Sequence, residues 1–175
     1  MAMILIDLTE DDIMDALRFV HRVRSKKKEY DVVDKKFDKN NSSYSVNLMG
    51  RLGEVAVSKY LNVSTDNSIT AGGDVGYDLT FNDLNLAVKT STLHSLIFNK
   101  EEDFSADVAI LVNFVGDKLL PHVDSWYYLM GWVDRQTFFD NHYKRDYGYG
   151  IRLVMDADRL YPMEDLVNYE IPRLH

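Results

Sequence analysis

The sequence predicts a mixed α/β domain built on a central mixed β-sheet flanked by helices. Three observations carry that expectation. Two stretches near the N-terminus repeat their apolar residues at helical spacing, and the centre of the chain holds apolar runs of strand length. The order helix, helix, strands, helix, strand then fits one sheet with helices packed on it. At 175 residues the chain is long enough for one domain with a sizeable core.

The first helix is expected from about residue 10 to 25. Thr9-Glu10-Asp11-Asp12 has the form of a capping box, and Ile13, Ala16, Leu17, Val20 and Val23 recur along one side. Residues 22–39, "RVRSKKKEYDVVDKKFDK", follow with eight Lys/Arg against four Asp/Glu, a local excess of +4 in a chain of net charge −8. That stretch reads as a solvated helix end and loop, or as an arm that grips phosphate. A second helix is expected from Val46 to Leu61, with Leu48, Met49, Leu52, Val55, Ala56 and Tyr60 on its apolar side. Glu54 falls at the edge of its polar side, and Gly50 and Gly53 beside it allow close approach to a sheet.

Residues 77–81 (YDLTF) and 86–91 (LAVKTS) flank "NDLN" and read as a β-hairpin. Alternation puts Ala87, Lys89 and Ser91 on one face and Leu86, Val88 and Thr90 on the other. A connection of even length brings Asp78 onto the Lys89 face, and a two-residue turn at Asn82-Asp83 pairs Asp78 with Ala87. An odd connection separates Asp78 from Lys89. "ADVAILVNFV" (106–115) is expected to be a strand buried on both faces and "SWYYLMGWV" (125–133) its neighbour, with Trp126, Tyr127, Tyr128 and Trp132 as packing residues. A short helix is expected from Asp134, a last strand in "YGIRLVMDA" and a helical turn at "MEDL". "NHYKRDYGYG" (141–150) reads as a loop, or as a nucleic-acid contact through Lys144 and Arg145 with its tyrosines.

Composition removes several classes of function. The chain has no cysteine, which excludes disulfides, thiolate metal sites and a cysteine nucleophile. No apolar run reaches the ~18 residues of a membrane span, and the N-terminus lacks the pattern of a signal peptide. The expectation is a protein without a membrane partner, in the cytoplasm. His21, His122, His142 and His175 lack metal-ligand spacing. There is no GxxxxGK[ST] loop, GxSxG elbow or HExxH helix.

The helix "GRLGEVAVSKYL", the strand "GGDVGYDLTF" and its partner "LAVKTS" together resemble the PD-(D/E)XK, or restriction-endonuclease-like, nuclease superfamily. The resemblance covers roughly residues 46–135 as a nuclease-like core, with 10–45 a helix and basic connection before it and 136–175 further elements of a single domain. It implies a DNA nuclease that hydrolyses phosphodiester bonds with Mg²⁺, or Mn²⁺ in its place. Carried over, Asp78 is similar to the family's metal-binding aspartate, Lys89 to its lysine and Glu54 to its helix glutamate. The backbone carbonyl of Val88 supplies a further oxygen, and Thr90, Ser91, His94, Lys144 and Arg145 are the expected substrate contacts. The resemblance is also to small phage-encoded members, which implies a bacterial or phage-infected cytoplasm, and many members form homodimers.

One departure stands out. The family bears Glu or Asp two residues before the lysine, and here that residue is Ala87, whose methyl group cannot coordinate a cation. Three readings follow: an engineered inactive variant, a natural member with Asp74 or Glu54 in compensation, or a catalytically dead fold kept for binding. The last would bind DNA or a host protein, for example as a phage anti-defence factor, and the net charge of −8 suits a protein partner.

Overall fold

A computed structural model describes residues 2–29, 43–65 and 77–171. The Thr9 hydroxyl accepts the Asp12 N–H at 3.2 Å, and the Asp12 carboxylate accepts the Thr9 N–H at 2.8 Å. This reciprocal cap starts α1 (Glu10–Glu29), four residues longer at its C-terminus than the apolar repeat alone suggests. Helix α2 (Ser43–Leu61) lies beside it, and the Lys59 ammonium reaches both the Asp12 carboxylate at 2.6 Å and the Asp7 carbonyl. No helix among the described residues is long and apolar enough to cross a membrane.

The five-stranded sheet runs in the order β1 (Ile4–Ile6), β6 (Trp126–Asp134), β5 (Val108–Val115), β3 (Leu84–Ser91), β2 (Leu79–Phe81). Only β3 and β5 are parallel, so the sheet is mixed. Strand β5 is buried from Val108 to Phe114 because both of its faces are covered. Its even-numbered residues Val108, Ile110 and Val112 join Leu86, Val88 and Leu129 beneath α1 and α2. Its odd-numbered residues Ala109 and Leu111 join Ala87, Met130 and Val133 on the opposite side.

That opposite side departs from the single sheet expected. A second, three-stranded antiparallel sheet covers it: β4 (Ser95–Phe98), β8 (Ile151–Asp156) and β7 (Tyr143–Asp146). Helix α3 (Arg135–Asn141) joins it, started by the Asp134 carboxylate, which accepts the Thr137 N–H at 2.9 Å. Phe98 and Phe104 stack with ring centres 4.7 Å apart, and Phe138 meets both edge-on. The alternation of β6 changes sense at a bulge, where pairing passes from Leu111–Gly131 to Val112–Leu129 and Met130 is the extra residue. Gly131, at φ +149°, has the Tyr161 carbonyl where a Cβ would stand, 2.6 Å away. The chain returns there to pair Tyr161 with Trp132 before α4 (Met163–Leu166).

Candidate functional site

The hairpin of β2 and β3 closes through a two-residue turn at Asn82 and Asp83, with φ of 49° and 63°. Positive φ at both central residues is the type I′ geometry that suits paired strands. The resulting register is Leu79–Leu86, Thr80–Asn85 and Phe81–Leu84. Asp78 lies just before β2, and its N–H donates to the Leu86 carbonyl at 2.8 Å. The connection is even, and Ala87 and Lys89 share the side of β3 that faces the second sheet, while Asp78 stands outside the paired residues at the edge of β3.

Each of these groups has a defined neighbour. The Asp78 carboxylate accepts the backbone N–H of Val88 at 2.7 Å. Ala87 is only 5% exposed and lies among the apolar residues between the two sheets. The Lys89 ammonium stands 5.1 Å from the centre of the Phe98 ring, a cation–π contact at the border of that apolar layer. This contact accounts for a lysine in a strand otherwise built from Leu86, Ala87 and Val88.

Glu54 reaches the strand from the other side. Gly53 packs its bare Cα against the Thr90 side chain, so closely that a Cβ would overlap the Thr90 hydroxyl. Gly50, the other glycine of "GRLGE", faces open space and allows no comparable approach. The contact sets the Glu54 turn of α2 against the helix-facing side of β3, the side opposite Lys89. Glu54 is 21% exposed at its side chain and is ion-paired at 3.0 Å with Arg51, so it is not the solvated glutamate its wheel position suggests.

Arg51 is the residue that sequence reasoning passed over. It is 5% exposed, its guanidinium lies 3.7 Å from the Phe19 ring centre, and it donates to Glu54 and to Thr65 Oγ1 at 3.1 Å. The signal was present in the three-residue spacing of Arg51 and Glu54 on one helix. Arg51 also lines a groove of about 830 Å³ beside α1 and α2, with Arg18, His21, Arg22, Lys59 and Ser58.

The expected substrate contacts do not converge. The Thr90 hydroxyl is buried beneath Gly53, on the helix side of β3 and away from Lys89. Ser91 Oγ accepts the Leu93 N–H, while its carbonyl takes the Asn113 side-chain amide at 3.1 Å. His94 is exposed and anchors only through its carbonyl, which accepts the Ala157 N–H. Lys144 and Arg145 lie on β7, a strand where a loop was expected, and alternate to opposite faces of it. Trp126, expected as packing, is 48% exposed, whereas Tyr127 and Trp132 are buried. Asp74, Gly72, Gly73, Gly76, His175 and the basic connection beyond residue 29 lie outside the described residues.

The donor set does not fit Mg²⁺ as it stands. Mg²⁺ takes oxygen ligands in near-octahedral geometry, usually with one or two carboxylates. Asp78 already accepts a backbone N–H, Glu54 is bound to Arg51, and Ala87 offers no oxygen. Among the described residues no group of three or more His, Cys, Asp or Glu is arranged to hold a metal ion. No family model, curated protein or solved structure matches this chain.

Proposed function

We propose that this chain is a DNA nuclease of the PD-(D/E)XK type disabled at Ala87, which as it stands binds DNA without hydrolysing it. The observation that carries the reading is the hairpin register. Asp78 is bonded to the β3 backbone at Leu86 and Val88, on either side of Ala87, Lys89 follows Ala87 on the same face, and Gly53 brings the Glu54 turn of α2 to the opposite face of the same strand. An acid at 87 would stand between the two β3 residues that Asp78 bonds, and two carboxylates brought that near can share one cation. Without it, Lys89 and Asp78 can orient a phosphate and a water but lack the positive centre that stabilises charge on the departing oxygen.

The test restores the acid. Ala87→Glu and Ala87→Asp are assayed with Mg²⁺ or Mn²⁺ on plasmid and on single-stranded DNA. Cleavage that appears on restoration and vanishes in the Asp78→Ala background supports the reading. A second reading, a binding protein for a host protein, is favoured by the net charge of −8 and by the exposed Trp126. Neither cleavage nor DNA binding in any variant would move the conclusion to that reading.

A further inference from the structure

One cavity is left unused by the hydrolytic chemistry. It has a volume of about 380 Å³ and lies where β1 ends, beside the start of α1 and the 121–126 segment that leads into β6. Ile6, Leu8, Ile13 and Leu52 supply apolar walls. A largely apolar cavity of this size with a few polar groups suits a small organic molecule.

Two large apolar side chains that line it, Leu5 and Trp126, are half exposed. The segment that carries Trp126 is held in place. The buried Tyr127 hydroxyl donates to the Pro121 carbonyl at 2.7 Å, and the Ser125 hydroxyl donates to the Val123 carbonyl at 3.0 Å. The Trp126 ring thus stands at the cavity on a preset backbone.

The carboxylates at the cavity are Asp7 and Asp124, and no lysine or arginine lines it among the described residues. Neither carboxylate takes part in a hydrogen bond or an ion pair among the described residues. Lys59 meets Asp7 at its backbone carbonyl and pairs instead with the Asp12 carboxylate at 2.6 Å. The imidazole of His122 lines the cavity too, and its Nδ1 is buried without a hydrogen-bond partner among the described residues.

We propose that this cavity binds a small aralkyl amine, with its ring against Trp126 and the apolar walls and its ammonium at the Asp7 and Asp124 carboxylates. An ammonium has donors only, and both carboxylates are acceptors. The indole adds a cation–π attraction. A carboxylate ligand of the same shape meets like charge there, and an inorganic cation makes no use of the apolar walls. The site is separate from the Asp78–Ala87 centre and stands whether or not that centre cleaves DNA.

The experiment is a titration of the ¹⁵N-labelled full chain with phenethylamine, and in parallel with 3-phenylpropionate, followed by amide and indole N–H shifts. Phenethylamine should move the signals of residues 5–8 and 122–126 and the Trp126 indole N–H, and the shifts should saturate. It should bind more tightly than 3-phenylpropionate, with a margin that narrows as salt screens the exposed carboxylates. Asp7→Asn and Asp124→Asn should each weaken the amine about threefold, the scale of one exposed ion pair. Asp7→Asn keeps the backbone carbonyl that Lys59 holds, so its fold is retained. Trp126→Ala should weaken the amine about fivefold. Asp158→Asn, outside the cavity lining, should change nothing. Scattered or non-saturating shifts, equal affinity for 3-phenylpropionate, wild-type affinity in both acid variants, or equal loss in Asp158→Asn would overturn the proposal.

Discussion

The carboxylate of Asp78 accepts the backbone N–H of Val88 at 2.7 Å, binding the start of the hairpin to its partner strand with a side chain. Asp78 therefore has a structural duty separable from any role in holding a cation. An Asn side chain keeps an acceptor oxygen, whereas Ala leaves the Val88 N–H without this partner. Asp78→Ala should lose about 1–3 kcal/mol of stability in urea unfolding, and Asp78→Asn clearly less. Any metal response seen in an acid-restored background should vanish equally in both.

A carboxylate at position 87 enters an apolar layer, next to Ala109 on β5 and in the cluster of Phe98 and Leu111. Ala87→Asp should lower stability by about 1–3 kcal/mol, the range for a polar group buried without full compensation. Mn²⁺ at about a hundred times its dissociation constant should return about 2.7 kcal/mol through mass action. Thermal unfolding with and without the ion reads this directly. A metal-independent melting temperature would count against a shared site.

Replacing a helical glycine by alanine ordinarily stabilises by about 0.5–1 kcal/mol. At Gly53 the sign should reverse, because the new Cβ meets the Thr90 side chain. Gly53→Ala should destabilise by about 1–3 kcal/mol, the cost of overpacking. Gly53→Ala with Thr90→Ala should cost less than the sum of the two single changes, and a double-mutant cycle measures that coupling. Gly50→Ala, with open space around it, should follow the ordinary rule.

Burial raises the Asp12 carboxyl pKa, but hydrogen bonds from Lys59 and Thr9 outweigh it and hold the group below its usual value of 3.8. A depressed carboxylate contributes stability that is complete above the unfolded value and is lost as pH falls through the folded one. Asp12→Asn should therefore melt lower than wild type at neutral pH. The gap should close as pH falls below 3.8. Melting curves across the acid range check the sign.

Much of this architecture is legible in the residues because local chemistry and long-range packing agree there. The capping box at Thr9, the Asn82-Asp83 turn, the apolar run of β5 and the Asp134 cap all carry their reason within a few residues. Strands β1, β4 and β7 do not. Strand β1 has three residues, too few to show a period, and β7 is exposed along its length with charged residues on both faces. Strands β1 and β4 form because β6 and β8 supply partners far away in sequence, and β7 because β8 returns beside it across the turn that follows. The candidate site divides in the same way. Parity alone puts Ala87 and Lys89 on one face, but it reveals neither that a second sheet covers that face at Ala87 nor that the Asp78 carboxylate turns to the Val88 N–H. Nor does a helical wheel show Glu54 held by a buried Arg51.

Strand β5 is the wall common to both apolar layers, hydrogen-bonded to β3 on one edge and β6 on the other. Its amides reach solvent only when the ladders to β3 and β6 open, and both apolar layers hold those strands in place. In native-state hydrogen exchange the amides of 109–114 should be the last to take up deuterium, at the free energy of global unfolding. The solvent-facing edges of β1 and β7 should exchange through far smaller openings. The domain thus has a slow spine and two fast margins, and one margin carries the Arg145 hairpin.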